Sequence, residues 1–160
     1  MIAIRLWHKD LIQVLPRQQL LSQWRECCCI AKDIAENGMP NHLLVNKIMY
    51  YPACHFFTYG LAVTDEMQRR GYHVNWKTKE VFKQNILKYS KIGAKCVNLS
   101  EIFPAWHNYR YFLQCYYNLQ EKHDCGGIPD SEWEFVEQQY QIMVRRNQRK
   151  EELCTQTRKN

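Results

Sequence analysis

The stretch "VLPRQQLLSQWRECCCIAKDIAENG", Val14 to Gly38, decides the class of fold. Leu20, Leu21, Trp24, Cys27, Cys28, Ala31, Ile34 and Ala35 recur at steps of three and four, the spacing that aligns one side of an α-helix. Ser22, Arg25, Glu26, Cys29, Asp33 and Glu36 fall on the other side. Pro16 suits a first helical turn, where its missing N–H removes nothing, and Asn37-Gly38 is a helix stop. The stretch is predicted as one helix with a buried stripe. It sets Arg25 and Glu26 on the solvent side, directly ahead of three adjacent cysteines.

Working outward, the same periodicity returns four times. It appears in "ACHFFTYGLAVTDEMQRRG" (Ala53–Gly71), "TKEVFKQNILKYSKIG" (Thr78–Gly93), "HNYRYFLQCYYNLQEKHDCGG" (His107–Gly127) and "PDSEWEFVEQQYQIMVRRNQRKEEL" (Pro129–Leu153). The expected apolar faces include Phe56, Phe57 and Met67; Val81, Phe82 and Ile86; and Phe112, Tyr116 and Tyr117. Only "GYHVNW" (Gly71–Trp76) alternates in a way that suits a strand. The expected fold is all-α, a single compact domain of about five helices over residues 1–140. Residues 141–160 are expected as a basic helix end or tail: Arg145, Arg146, Arg149, Lys150, Arg158 and Lys159 face only Glu151 and Glu152 there. That segment reads either as a solvated helix end or as a phosphate-tracking tail.

The composition is that of a globular chain, with 46% apolar and 13% aromatic residues in 160. A net charge of +6 permits a polyanionic partner without requiring one. The beginning lacks a signal-peptide layout, and no run approaches the roughly 18 apolar residues of a membrane span. A cytoplasmic protein with reduced thiols and no membrane partner is expected. Cys27, Cys28 and Cys29 point to different sides of a helix, and none of the 8 cysteines forms a Cys-x-x-Cys. Buried free thiols are expected, with no metal and no cofactor.

Arg5, Trp7, His8, Lys9, Arg17, Arg25 and Glu26 crowd the first 26 positions. Lys9 and Arg17 are expected to fold over the face bearing Arg25 and Glu26. A carboxylate among such cations should have a lowered pKa, so that it can steady a developing positive charge or relay a proton. On the residues alone, an ordinary exposed charge pair is the expected reading. His55, before Phe56-Phe57, suits either a core or a site. His107 in "FPAWHNYRYF" lies where aromatics alternate with cations, a pattern that stacks bases or fills a small core. His8 and His42 fall in loops that could meet a phosphate. No nucleophile elbow and no phosphate-binding glycine loop is present.

The order of these features resembles the pyrimidine-dimer DNA glycosylase family of the phage endonuclease V type. Trp24-Arg25-Glu26 resembles that family's aromatic-Arg-Glu triplet on the first long helix, and Arg5 its arginine near the chain start. "IAENG" (Ile34–Gly38), "CHFFTYG" (Cys54–Gly60) and "MQRRGYHV" (Met67–Val74) are similar to further family segments in the same order. The likeness runs from about Arg5 to Val74. It implies a glycosylase and abasic-site lyase acting on damaged pyrimidines in double-stranded DNA, as a monomer. An α-amino group attacks C1′ and forms an imine, and an amine with a pKa near 7.7–8.0 keeps a usable neutral fraction. By the same likeness Glu26 is the catalytic glutamate, and Arg5, His8, Lys9, Arg17, Arg25 and His55 are candidate DNA contacts.

The family places its amine on the residue before the matching arginine, here Ile4, whereas this sequence begins at Met1. Ile2 is too bulky for efficient methionine removal, so Met1 is expected to carry the amine. The extra residues then loop back, or the chain starts at position 4, or the lyase step is lost. A family phosphate-binding arginine one turn past the triplet is Cys29 here, so the resemblance implies DNA binding more directly than dimer specificity. A non-catalytic DNA-binding relative and an RNA- or protein-binding helical module stay open as alternatives.

Overall fold

The computed structural model describes residues 5–39, 42–90 and 97–158. The first long helix, α1 (Arg17–Asn37), begins after Pro16 and stops at Gly38, whose φ of 85° is readily reached only without a side chain. Then follow α2 (Leu43–Asn46), α3 (Ala53–Arg69), α4 (Trp76–Tyr89), α5 (Tyr109–Asp124) and α6 (Asp130–Thr157). Short 3₁₀ segments at Lys9–Val14, Lys47–Tyr50 and Leu99–Glu101 complete the described elements. The Asn75 and Asn108 side chains cap α4 and α5 by accepting the N–H groups of Lys77 and Tyr111.

The all-α expectation holds, with more helices than the five foreseen. The difference lies in short segments, α2 and the 3₁₀ turns, which are too brief to show periodicity. Gly71–Trp76 is not a strand among the described residues. Residues 72–75 connect two helices, and Trp76 opens α4.

α1 packs across α4 and α3. Trp24 meets the Phe82 ring edge-on at 5.2 Å, and Phe82 pushes into a notch at Gly60 of α3. A Cβ at Gly60 would lie 2.4 Å from the tip of that ring, so glycine is what lets α3 and α4 approach. α5 packs on α6, where Tyr116 stacks on Tyr140 at 4.1 Å and on Trp133 at 5.5 Å. The 3₁₀ segment Lys9–Val14 sits between α3 and α6. Glu66 of α3, itself buried, binds Arg69 and Arg70, and the Arg70 guanidinium donates to the carbonyls of Gln13 and Leu15. That fastens the end of the 3₁₀ segment to α3.

Some expected core positions lie outside it. Val81 is 58% and Tyr117 52% exposed, because the neighbouring helices cover a narrower stripe than the apolar spacing offered. Cys27 and Cys115 are buried, but Cys29, Cys125 and Cys154 are exposed, which corrects the expectation of uniformly buried thiols. The division expected at residue 140 falls inside the continuous helix α6, whose last buried residue is Met143. Among the described residues no helix is long and apolar enough to cross a membrane, and no His/Cys/Asp/Glu group could hold a metal.

Candidate active site

Glu26 lies on α1 one turn after Gln23, and that spacing builds the site. Gln23 belongs to the buried stripe of α1 with Leu20, Cys27, Ile30 and Ile34. A glutamine on that stripe must find partners, and the partners it finds are the residues preceding α1. Its Oε1 accepts the Trp7 N–H at 2.8 Å and the Tyr59 hydroxyl at 3.0 Å, while its Nε2 donates to the Arg5 carbonyl at 3.0 Å. Tyr59 of α3 shares that one hydroxyl proton with the Trp7 carbonyl, 2.7 Å away, and Tyr111 of α5 donates to the Leu6 carbonyl at 2.5 Å. Residues 5–7, which belong to no helix, are thus held by three helices. Their backbone is laid so that the Arg5 N–H points at Glu26 Oε2, 3.3 Å away.

Glu26 is half-buried. Burial pushes its carboxyl above the usual carboxylate range, and the Arg5 N–H and the Arg25 charge offset this only partly. This corrects the lowered pKa expected from the sequence. The expected cage of cations does not close around Glu26, because three of its members are turned elsewhere. The Lys9 ammonium donates to the carbonyls of Ser100 and Ile102, both at 2.7 Å. The Arg17 guanidinium lies over Tyr72, 5.6 Å from the ring centroid. That of Arg5 lies 5.7 Å from the centroid of Trp7.

The structure therefore brings Glu26, Arg25 and the Arg5 backbone together and places the other candidates apart. Arg25 is exposed and touches only Ser22 Oγ, at 3.4 Å, among its described hydrogen bonds. His8 is 1% exposed. Its Nδ1 accepts the Asp10 N–H and its Nε2 donates to the His107 carbonyl, so the ring is spent inside the fold. Burial holds it below the usual histidine range. Lys9 is likewise buried, with its pKa lowered by desolvation, and its N–H donates to His107 Nδ1 at 3.0 Å. His55 accepts the Phe103 N–H at 2.9 Å and stacks on Tyr51, bracing a residue whose φ is 47°. Burial, with the Lys9 charge behind it, lowers its pKa. Arg17 opens α1, and its N–H donates to Glu132 of α6. Met1, the expected amine, lies outside the described residues, as does Ile4.

Sequence reasoning passed over Gln23, Tyr59 and Tyr111, which position the site. The signal for Gln23 was available: it stands three residues after Leu20 and four before Cys27, a polar residue within an apolar stripe.

A half-buried carboxylate with no full counter-ion has a defined chemical capacity. It is stabilised when positive charge develops beside it, and its raised pKa suits taking up and returning a proton. Residues 4–80 match the profile of a family described as pyrimidine dimer DNA glycosylase. No curated protein and no solved structure gives a significant match.

Proposed function

From the match of residues 4–80 to the pyrimidine dimer DNA glycosylase family, we propose that this protein excises damaged pyrimidines, pyrimidine dimers among them, from double-stranded DNA and cuts the strand at the abasic site. The observation that carries this reading is the 3.3 Å hydrogen bond from the Arg5 N–H to the half-buried Glu26 carboxylate. Covalent geometry keeps the nitrogen of residue 4 within about 4 Å of the Arg5 nitrogen. An amine on that residue would share the neighbourhood of Glu26, and the family match itself begins at residue 4.

The proposed chemistry follows. The amine lone pair bonds to C1′ as the bond to the base breaks, the base leaving with the electron pair. Loss of the proton from nitrogen and opening of the sugar ring give an imine. Removal of a C2′ proton then breaks the C3′–O bond and the strand. Glu26 offers negative charge to the cationic sugar and carries protons between these steps. The exposed Arg25 and the Arg5 side chain hold flanking phosphates. Reaching C1′ requires the duplex to open and bend at the lesion.

The test is borohydride trapping on abasic-site duplex, with chains beginning at Met1 and at residue 4. A covalent adduct is expected from at least one of them. Glu26→Gln should bind the duplex as tightly while strand cleavage falls roughly 10²–10⁴-fold. Wild-type cleavage in that variant overturns the role of Glu26. Binding without any adduct from either chain overturns the lyase and leaves a DNA-binding relative.

A further inference from the structure

The second half of α6 is not used by this site. Met143 is the last buried residue of the helix, and every described residue from Gln148 to Arg158 is exposed. That exposed end spans about 16 Å at 1.5 Å per residue, its first turn still beside Asn108 and Tyr109 of the body. Steps of three and four place Arg145, Arg146, Arg149 and Lys150 on one side of it, between Ile142 and Leu153, lining a shallow groove of about 440 Å³. Glu151 lies on the opposite side and accepts from Asn147, while Glu152 stands at the edge. Arg146 is 3.8 Å from Asp10; among the described residues no carboxylate lies within ion-pair distance of Arg145, Arg149 or Lys150. On the near side Arg146 and Lys150 also border a polar groove with Asn108 and Tyr109 at the start of α5. The cations therefore form a continuous row from the body outward along the helix.

We propose that this row is a second DNA contact, gripping duplex phosphates away from the lesion and independently of sequence. It lies outside the family-matched residues 4–80 and rests on the reading that the protein acts on duplex DNA. An isolated helix end is marginal in water, and a polyanion laid along its charged side would steady it. Four cations on one side, with only two apolar residues at its ends, suit phosphates better than an apolar partner surface.

The experiment measures affinity for an undamaged duplex across a series of salt concentrations. The wild type is compared with Arg145→Gln/Arg149→Gln/Lys150→Gln and with an equal-charge control on α4, Lys77→Gln/Lys83→Gln/Lys88→Gln. Each lost phosphate contact lowers the slope of log K against log salt by about 0.9. The α6 variant should therefore lose roughly two to three units of slope, and the α4 control almost none. Abasic-site cleavage at saturating protein should be unchanged in both. An unaltered slope in the α6 variant overturns the proposal, as does an equal loss in the control, which would report net charge alone. A wild type that binds no duplex overturns the reading beneath it, and that outcome is distinguishable because it appears before any substitution is made. Sedimentation showing that the α6 variant only breaks a dimer of this chain also overturns it.

Discussion

Residues Arg5–Lys9 and the half of α6 beyond Met143 both look alike in sequence, short and rich in cations, yet the fold treats them oppositely. In the first, backbone and side chains are drawn inward. Gln23, Tyr59, Tyr111, His107 and two carbonyls take up most of the polar groups, and the half-buried Arg5 side chain lies against Trp7 and Cys115. In the second, the cations stand in water and little packs beneath them. Charge density in a sequence therefore says little about where a charge is available. What decides is whether helices cross over the segment. Three do so at residues 5–9, and this makes the stretch first a positioning device, with the Arg5 side chain its one proposed phosphate contact.

The contrast can be broken most sharply at its centre. Gln23→Leu keeps the volume but leaves the Trp7 N–H and the Arg5 carbonyl unpaired. It should cost about 2–4 kcal/mol of stability, read by urea unfolding, and it should lower cleavage through displacement of residues 5–7. A smaller effect of opposite sign is expected at Glu26. Its pKa in the fold is raised, so the folded state binds the proton more tightly, and the charged form weakens the fold at neutral pH. Glu26→Gln should therefore raise the unfolding midpoint at pH 7. The gain should shrink as pH falls through the raised pKa and vanish below the ordinary carboxyl value. A gain that grows on acidification would contradict the burial argument. Smallest of all, Arg149→Ala or Leu153→Ala on the exposed end of α6 should change stability by no more than about 0.5 kcal/mol in thermal melts.

Much of this was legible beforehand. Pro16, Gly38, Gly71 and Gly126 punctuate the helices where their chemistry suggests, and the long amphipathic segments folded as their spacing predicts. The triplet Trp24-Arg25-Glu26 divides as the period requires, with tryptophan inward and arginine outward. The direction of the Glu26 shift was not legible. It depends on which way Lys9 and Arg17 turn, and that is set by the carbonyls of Ser100 and Ile102 and by Tyr72, far away in sequence. The burial of His8 was hidden for the same reason, since its partner His107 lies 99 residues on. The notch at Gly60 was equally silent: a glycine in a helix shows its purpose only when Phe82 arrives from another helix.

Gln23 and Glu26 share one rigid helix, a single turn apart, so the ruler that sets the reach of the chemistry is read from the inside of the molecule. Leader residues added ahead of Arg5 change what arrives at the carboxylate without moving the mark. Deleting one residue between Arg5 and Trp7 would shift the mark itself by a full peptide, and no rearrangement upstream could restore the alignment.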